Sequence, residues 1–292
     1  MEIRFEESSV IQDGRLRRRY LWYPDRKPRG GVILLHGLGD HLTRYQEVAH
    51  MFTLRGFVCE GVDLPGHGKS EGQRGHLGSW ESLWGVFDDC RTRLAELSLN
   101  ETPLMGLFAH SMGGFLSAEY VADRSGAFDF AWLSSPLLRP TARHSATSKW
   151  LGKVLGASAP RIPWDTGVRA KHCVIPEENG SRPSGKSKDP LMHHWTTLGS
   201  GRELITREST VFQSAERWTE DMSLLLTQGE KDPVCPPQYS RDWFDRLPLG
   251  EKSYEILEGE LHEPLHSRSG AEVLRIAGAW MDGYLAGRDG LR

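Results

Sequence analysis

The stretch "LFAHSMGGFLSAEY", residues 107–120, joins an apolar run to a helical pattern. The apolar residues up to Phe108 are typical of a strand that is buried on both faces of a sheet. Ser111 stands where this run ends, among small residues, and Gly113 and Gly114 follow it. A serine in such a strand–turn–helix unit is either an ordinary helix N-cap or a nucleophile that a tight turn holds exposed. The rest of the sequence has to decide between these two roles.

The alternation of apolar runs and helical patterns extends over most of the chain. An opening hairpin is predicted to turn at Asp13 and Gly14, since Asp-Gly favours a two-residue hairpin turn. Six further runs are typical of buried strands: "GGVILLHG", "FVCEGVDLPG", "PLMGLFAH", "FDFAWLSSP", "MSLLLTQG" and "KSYEILEG". This order predicts an α/β fold, with a mostly parallel central sheet flanked by helices and joined by right-handed crossovers.

Residues 137–210 interrupt this alternation. They include the Gly-, Ser-, Pro- and Lys-rich segment "PEENGSRPSGKSKDP". A structureless loop of this length is improbable, so we expect an inserted, mainly helical cap here, with residues 1–136 and 211–292 forming the core. Five apolar residues of the insertion are candidates for contact with a substrate or for the cap's own small core: Trp150, Leu151, Val154, Leu155 and Trp195.

The composition indicates a globular protein that does not bind nucleic acid. Of the 292 residues, 38% are hydrophobic and 26% are charged, and the formal net charge is -3. The densest basic cluster, "RLRRRY", is best explained as the solvent-facing side of a strand. The first residues lack the apolar core of a signal peptide, and no run is long enough to span a bilayer. The four cysteines are scattered, so we expect a reduced, cytoplasmic protein.

The sequence gives no strong sign of a metal or a cofactor. The cysteines show neither a CxxC pattern nor a Cys/His metal spacing. His193 and His194 are adjacent, but without a carboxylate at ligand spacing they are weak evidence for a metal site. We therefore expect no metal ion and no cofactor.

Three residues of complementary chemistry follow the ends of three predicted strands. Ser111 follows "PLMGLFAH", Asp232 follows "MSLLLTQGEK" and His262 follows "KSYEILEGEL". Parallel strands bring their carboxyl ends to one edge of a sheet, so these distant residues can meet there. A serine nucleophile needs a base within hydrogen-bond reach and an acid that orients the base. The chain order serine, acid, histidine is the order of an α/β-hydrolase.

Two of these three assignments have rivals. Asp232 precedes a proline and could be an ordinary turn aspartate, and Glu230 or Asp63 could be the acid instead. His266 is the rival base, and either histidine could be a plain surface residue. We favour Asp232 for its place at a strand end and His262 because it follows its strand sooner.

The turn around Ser111 departs from the Gly-x-Ser-x-Gly nucleophile elbow at one position. Ala109 stands where the first glycine is expected, and alanine is the smallest replacement, while Gly113 matches the second glycine. An oxyanion would need two donors near the serine. The Met112 amide at the helix start is one candidate, and the Leu38 amide in "HGLGDH" is the other.

Several segments together resemble one group of enzymes. These are "VILLHGLGDHLTRY", "GVDLPGHGKSEGQRGHL", "HSMGG", "LLLTQGEKDPVCPP" and "LEGELHEPLH", with "KDPLMHH" in the insertion. In order and spacing they resemble the monoacylglycerol lipase and lysophospholipase group of the α/β-hydrolases. The resemblance implies a Ser111, Asp232 and His262 triad, oxyanion amides at Leu38 and Met112, and a lid over an acyl pocket. Residues 143–188 have little that matches the group.

The sequence therefore predicts a serine hydrolase that cleaves carboxylic esters through an acyl-enzyme. The resemblance favours monoacylglycerols or lysophospholipids as substrates, with transient contact between the cap and a membrane surface. Other activities remain open, namely a short-chain carboxylesterase or the cleavage of amide or C–C bonds. From a different class, the chain could be a non-catalytic α/β-hydrolase scaffold that binds a small ligand.

Overall fold

The fold is described from a computed structural model, which covers residues 4–98, 103–140, 145–175 and 189–289. The strands of these residues are β1 Arg4–Gln12, β2 Arg15–Tyr23, β3 Gly30–Leu35, β4 Phe57–Val62, β5 Leu104–His110, β6 Phe130–Ser134, β7 Pro163–Asp165, β8 Trp195–Thr197, β9 Ser223–Gly229 and β10 Glu251–Leu257. Their α-helices are α1 Gln46–Thr53, α2 Trp80–Ser98, α3 Met112–Asp123, α4 Ala146–Ser158, α5 Ala170–Cys173, α6 Leu198–Gln213, α7 Pro237–Asp245 and α8 Gly270–Asp289. No helix within these ranges is long and apolar enough to cross a membrane.

The main sheet has eight strands in the order β1-β2-β4-β3-β5-β6-β9-β10. Six of these strands run parallel, namely β4, β3, β5, β6, β9 and β10. At one edge β1 and β2 form an antiparallel hairpin, and β2 is also antiparallel to β4. The hairpin turns at Asp13 and Gly14, whose φ angles of 50° and 69° fit the two-residue turn. The expected α/β fold with a mostly parallel central sheet is confirmed.

Helices cover the main sheet on both faces, so two apolar cores form. One face of β3 contributes Ile33 and Leu35 to a core with α2, α3, α6 and α7. The alternate residues Val32 and Leu34 belong to the other core, with α1 and α8. Because successive strand residues point to opposite faces, a strand covered on both sides is apolar throughout. This burial explains the continuous apolar runs of the sequence.

The segment between β6 and β9 carries α4, β7, α5, β8 and α6. Its helices agree with the mainly helical insertion, but β7 and β8 also pair in a small antiparallel sheet that the sequence does not predict. Helix α6 runs through residue 210, where we placed the end of the cap. The polar segment "PEENGSRPSGKSKDP" lies outside the described residues except for its last two positions.

Candidate active site

Ser111 lies at the sharp turn between β5 and α3. Its φ of 52° and ψ of -115° place a non-glycine residue in a strained backbone region. The Ser111 amide donates to the Ser134 carbonyl at 3.0 Å, which ties the turn to β6. A Cβ atom on Gly113 would lie 2.9 Å from the Leu35 carbonyl oxygen, so glycine lets α3 approach β3 closely. This is the geometry of a nucleophile elbow.

Two hydrogen bonds connect Ser111, His262 and Asp232. The Ser111 Oγ lies 2.9 Å from His262 Nε2, and His262 Nδ1 lies 2.8 Å from Asp232 Oδ2. All three residues are buried. An ionised carboxylate can only accept, so the histidine proton belongs on Nδ1 and Nε2 is left to accept from the serine. The structure thus brings the three predicted residues into the arrangement that proton transfer requires.

Asp232 is held by further hydrogen bonds. Its Oδ1 accepts from the backbone amides of Val234 and Cys235, each at 2.8 Å. Its Oδ2 accepts from Gln228 Nε2 at 2.9 Å in addition to the histidine. These donors fix the plane of the carboxylate and orient it toward His262.

The rival residues lie in other surroundings. Glu230 is exposed, and its Oε2 accepts from the Gly259 amide at 2.8 Å. Asp63 is buried and accepts from backbone amides and a tyrosine hydroxyl, so its carboxylate holds the loop after β4. The His266 ring packs edge-on against Tyr45, with 5.2 Å between the ring centroids. None of these side chains has a hydrogen bond to the serine or to the histidine paired with it among the described residues.

The loop after β3 runs beside the serine. A Cβ atom on Gly37 would lie 3.1 Å from the Ser111 Cβ, which shows how closely the loop approaches. His36 shapes this loop, because its Nδ1 lies 2.8 Å from the Gly37 carbonyl oxygen and its Nε2 accepts from the Leu64 amide. Within the described residues, neither the Leu38 nor the Met112 amide donates to another protein group. Both predicted oxyanion donors are therefore without an acceptor in this part of the chain.

Comparison with known proteins shows the family of this chain. The family model described as serine aminopeptidase, S33 (Hydrolase_4) matches residues 26–269. The chain belongs to this family of hydrolases. It is 31% identical over 268 residues to the monoacylglycerol lipase of Mycolicibacterium smegmatis, covering 91% of this chain and 92% of the relative. The monoacylglycerol lipase of Paleococcus ferrophilus has a similar structure, with a TM-score of 0.77 and 28% identity over 96% of this chain and 98% of its own.

A further relative of the hydrolase is a phospholipase. The phospholipase YtpA of Bacillus subtilis is 24% identical over 267 residues, covering 91% of this chain and all of the relative's length. The family, the α/β fold and these relatives confirm the expectation from the sequence that the protein is a serine carboxylic-ester hydrolase.

A buried charge network joins the two loops of the hydrolase that flank Ser111. The Arg44 guanidinium donates to Asp40 Oδ1 at 2.9 Å and to Glu263 Oε2 at 2.6 Å. Burial would raise the pKa of Asp40, but the arginine outweighs it and holds that pKa well below its usual range. Asp40 lies two residues after Leu38, and Glu263 follows His262 directly. Sequence reasoning missed this network, although Asp40 and Arg44 have the i, i+4 spacing of an ion pair.

Uncharged histidines surround the site. Burial lowers the pKa of His110, and its ring packs on His262 with 5.0 Å between the centroids. Burial likewise lowers the pKa of His67, and the pKa of His193 falls to about 4. These two rings pack against each other with 4.9 Å between the centroids. The His110 ring that packs on His262 is therefore neutral at neutral pH.

The segment between β6 and β9 contacts both loops through its backbone. The His193 amide donates to the Gly39 carbonyl oxygen at 3.0 Å, next to Leu38. The Glu263 amide donates to the Cys173 carbonyl oxygen at 2.7 Å, next to His262. Leu38, the proposed oxyanion donor, and His262, the proposed base, are thus each next to a residue that is hydrogen-bonded to the inserted segment.

A cavity of about 650 Å³ opens onto Ser111 and His262. Among the predicted substrate contacts, Leu151 and Leu155 line it. Trp150, Val154 and Trp195 are not among its lining residues and are exposed. Sequence reasoning missed most of the wall, which also includes Leu137, Thr166, Thr196, Leu204, Ile205 and Val234.

Ligand atoms of Asp232, Cys235 and His262 lie within 4.8 Å of one another, as metal ligands would. However, both Asp232 oxygens already accept two hydrogen bonds each, and the His262 nitrogens face Asp232 and Ser111. The set fits proton transfer better than metal binding, because a metal ion would have to displace these bonds.

Proposed function

We propose that this hydrolase cleaves the ester bond of monoacylglycerols through an acyl-enzyme on Ser111. The proposal rests on the cavity, which has a mostly apolar wall and reaches Ser111. A single acyl chain can be buried in such a cavity, and each methylene group so buried contributes about 0.8 kcal/mol. The monoacylglycerol lipases among the relatives, which match nearly the whole chain, support this substrate class.

Acylation begins when the Ser111 Oγ attacks the ester carbonyl carbon. His262 Nε2 takes the serine proton, since it lies 2.9 Å from the Oγ and its other nitrogen is held by Asp232. The unused Leu38 and Met112 amides bind the negative oxygen of the tetrahedral intermediate, and each donor lowers the barrier by about 3 kcal/mol. His262 then gives its proton to the leaving glycerol oxygen.

Deacylation repeats these steps with water as the nucleophile. His262 takes a proton from the water, and the hydroxide adds to the acyl carbonyl carbon. Collapse of the second tetrahedral intermediate releases the fatty acid and returns the proton to the Ser111 Oγ. Asp232 remains charged throughout and stabilises the imidazolium form of His262 in both halves of the cycle.

We assign the segment 137–210 as a cap that covers the acyl chain and touches lipid surfaces. Outside the cavity lining, α4 carries exposed apolar side chains one helical turn apart, Trp150 and Val154, with exposed fractions of 63% and 41%. Exposed apolar residues close together mark binding surfaces, and tryptophan favours the membrane interface. Lys153 lies on the same helix as Trp150 and adds positive charge, which anionic lipids attract.

Lysophospholipids are the second candidate substrate class. Arg139, Lys149 and Arg202 line the cavity, and its described lining residues include no aspartate or glutamate. Such a wall favours a substrate with a phosphate group. The phospholipase among the relatives supports this alternative. Glu208 pairs with Lys149 at 3.2 Å and offsets part of the positive charge. For this reason we rank monoacylglycerols above lysophospholipids as the substrate class.

Hydrolysis of a lipid panel tests the proposal. The panel compares monoacylglycerols of several chain lengths, lysophosphatidylcholine, a triacylglycerol and short nitrophenyl esters, each in micelles and in vesicles. Ser111→Ala is the blank and should lower turnover by several orders of magnitude without unfolding the protein. Faster turnover of monoacylglycerols than of all other substrates supports the proposal. Turnover of short esters alone would refute the lipase assignment, and wild-type activity in Ser111→Ala would refute the role of the serine.

A further inference from the structure

Helices α4 and α6 pack against each other, and both contain glycines. Glycine inside a helix costs about 0.5–1 kcal/mol relative to alanine, so each of these positions needs a structural reason. At Gly156 the reason is close packing, because a Cβ atom there would lie 2.5 Å from the Leu198 carbonyl oxygen. At Gly199 a Cβ atom would lie 2.9 Å from the Pro160 carbonyl oxygen. Neither position has room for a side chain.

Gly201 is different, because apart from its chain neighbours and the backbone of its own helix no atom of the described residues lies within 4 Å of the place where its Cβ would be. Packing therefore does not explain this glycine. It lines the cavity together with Leu198 and Ile205, which lie three residues before and four residues after it on α6. Residues at this spacing share one face of a helix. A side chain at position 201 would thus extend from the cavity wall into open space.

The facing wall has a second glycine. Gly152 of α4 lines the same cavity, and a Cβ atom there would lie 2.9 Å from the Cδ1 atom of Ile205 on α6. Leu151, Leu155 and Leu204 of these helices also line the cavity, together with the polar residues Ser148, Lys149 and Arg202. Ile205 therefore packs close to Gly152, whereas the described residues leave space beside Gly201 in the same cavity wall.

We propose that Gly201 sets the longest acyl chain that the hydrolase accepts, because its missing side chain leaves this part of the cavity open. The inference rests on the proposed function and refines it to long-chain esters. A larger side chain at position 201 occupies the space of the distal methylene groups. Substrates with short acyl chains do not reach that space, so the loss of activity increases with chain length.

The test compares Gly201→Leu and Gly201→Ala with the wild type on monoacylglycerols of 4 to 18 carbons. If the leucine side chain excludes two methylene groups, the ratio of kcat/KM for 16 carbons to that for 4 carbons falls about 15-fold, at about fourfold for each methylene group. The alanine variant should show a smaller fall in the same direction. Gly283→Leu is the matched control, since Gly283 lies on α8, is exposed and likewise has no atom within 4 Å of its Cβ position. Its ratio should equal that of the wild type.

A binding measurement separates this inference from the proposed function. In the Ser111→Ala background, palmitate and octanoate are titrated against a bound fluorescent fatty acid, and Gly201→Leu should weaken palmitate binding more than octanoate binding. That result without any lipid turnover by the wild type would refute the proposed function and support the role of Gly201. An unchanged chain-length profile and unchanged palmitate binding in folded Gly201 variants would overturn the inference. If Gly201→Leu does not fold, the same comparison with Gly201→Ala decides.

Discussion

Replacing Asp232 by asparagine tests the proton path most directly, because the structure dictates how the new amide must sit. The two backbone amides at Oδ1, from Val234 and Cys235, both donate, so the amide oxygen of the new side chain has to stay there. The NH2 group then takes the place of Oδ2 and faces His262 Nδ1 at about the present 2.8 Å. A donor at this place requires Nδ1 to accept, so the histidine proton moves to Nε2. The nitrogen facing Ser111 can then no longer take a proton.

Gln228 cannot relieve this change by flipping its amide. Its Nε2 donates to the Cys235 carbonyl oxygen as well as to Asp232, and its Oε1 accepts from Ser240. A flipped amide would place two acceptors against each other at Cys235. The wrong histidine tautomer is therefore held in place, and we expect kcat to fall about 10⁴-fold, or about 5 kcal/mol of barrier.

The assay is the steady-state hydrolysis of the best ester of the lipid panel by Asp232→Asn, with near-UV circular dichroism to verify the fold. KM should change little, because the carboxylate does not line the cavity. The matched control is Glu230→Gln, which alters an exposed acid that caps the Gly259 amide and should keep the wild-type kcat. A folded Asp232→Asn enzyme with more than a tenth of the wild-type kcat would refute this reasoning. A large loss in Glu230→Gln would identify the rival acid instead.

Two further variants test buried charges. Burial raises the pKa of Glu60 from 4.5 to about 7, so the folded state gains stability from the protonated carboxyl below pH 4.5 and loses it as the pH rises through 7. Glu60→Gln should remove this loss, which amounts to about 2.5 kcal/mol between pH 5 and pH 8 in urea unfolding, and an equally large loss in the variant would contradict the prediction. Arg44→Met leaves two buried carboxylates without their cation and should destabilise the protein by about 3–5 kcal/mol in the same assay at pH 7. A loss below 1 kcal/mol would show that the network contributes little.

The core and the three site residues could be predicted because local signals determine them. β3 and β5 are covered on both faces, and their continuous apolar runs show it. Asp232 and His262 follow the ends of β9 and β10 closely, and parallel strands bring such positions to one edge. The elbow was predictable for the same reason, since the apolar run ends directly before Ser111.

The cavity wall could not be predicted in the same way. Trp150 and Leu151 are adjacent and both apolar, yet only Leu151 faces the cavity, because neighbours on a helix point about 100° apart. The orientation of α4 depends on its packing against α6, which no local pattern shows. β7 and β8 have three residues each, too few for a period to be visible. The pairing of Arg44 with Glu263 joins residues 219 positions apart.

Such long-range contacts also connect the inserted segment to the two loops beside Ser111. Arg44 links the loop that carries Leu38 to the loop that carries His262, and both loops also bond to the insertion through their backbones. If the insertion moved away from the core, the hydrogen bond from the His193 amide to the Gly39 carbonyl oxygen would have to break, or the loop that carries Leu38 would have to move together with the insertion. Opening of the proposed cap would therefore displace the loop that carries Leu38, the proposed oxyanion donor, unless this bond breaks first.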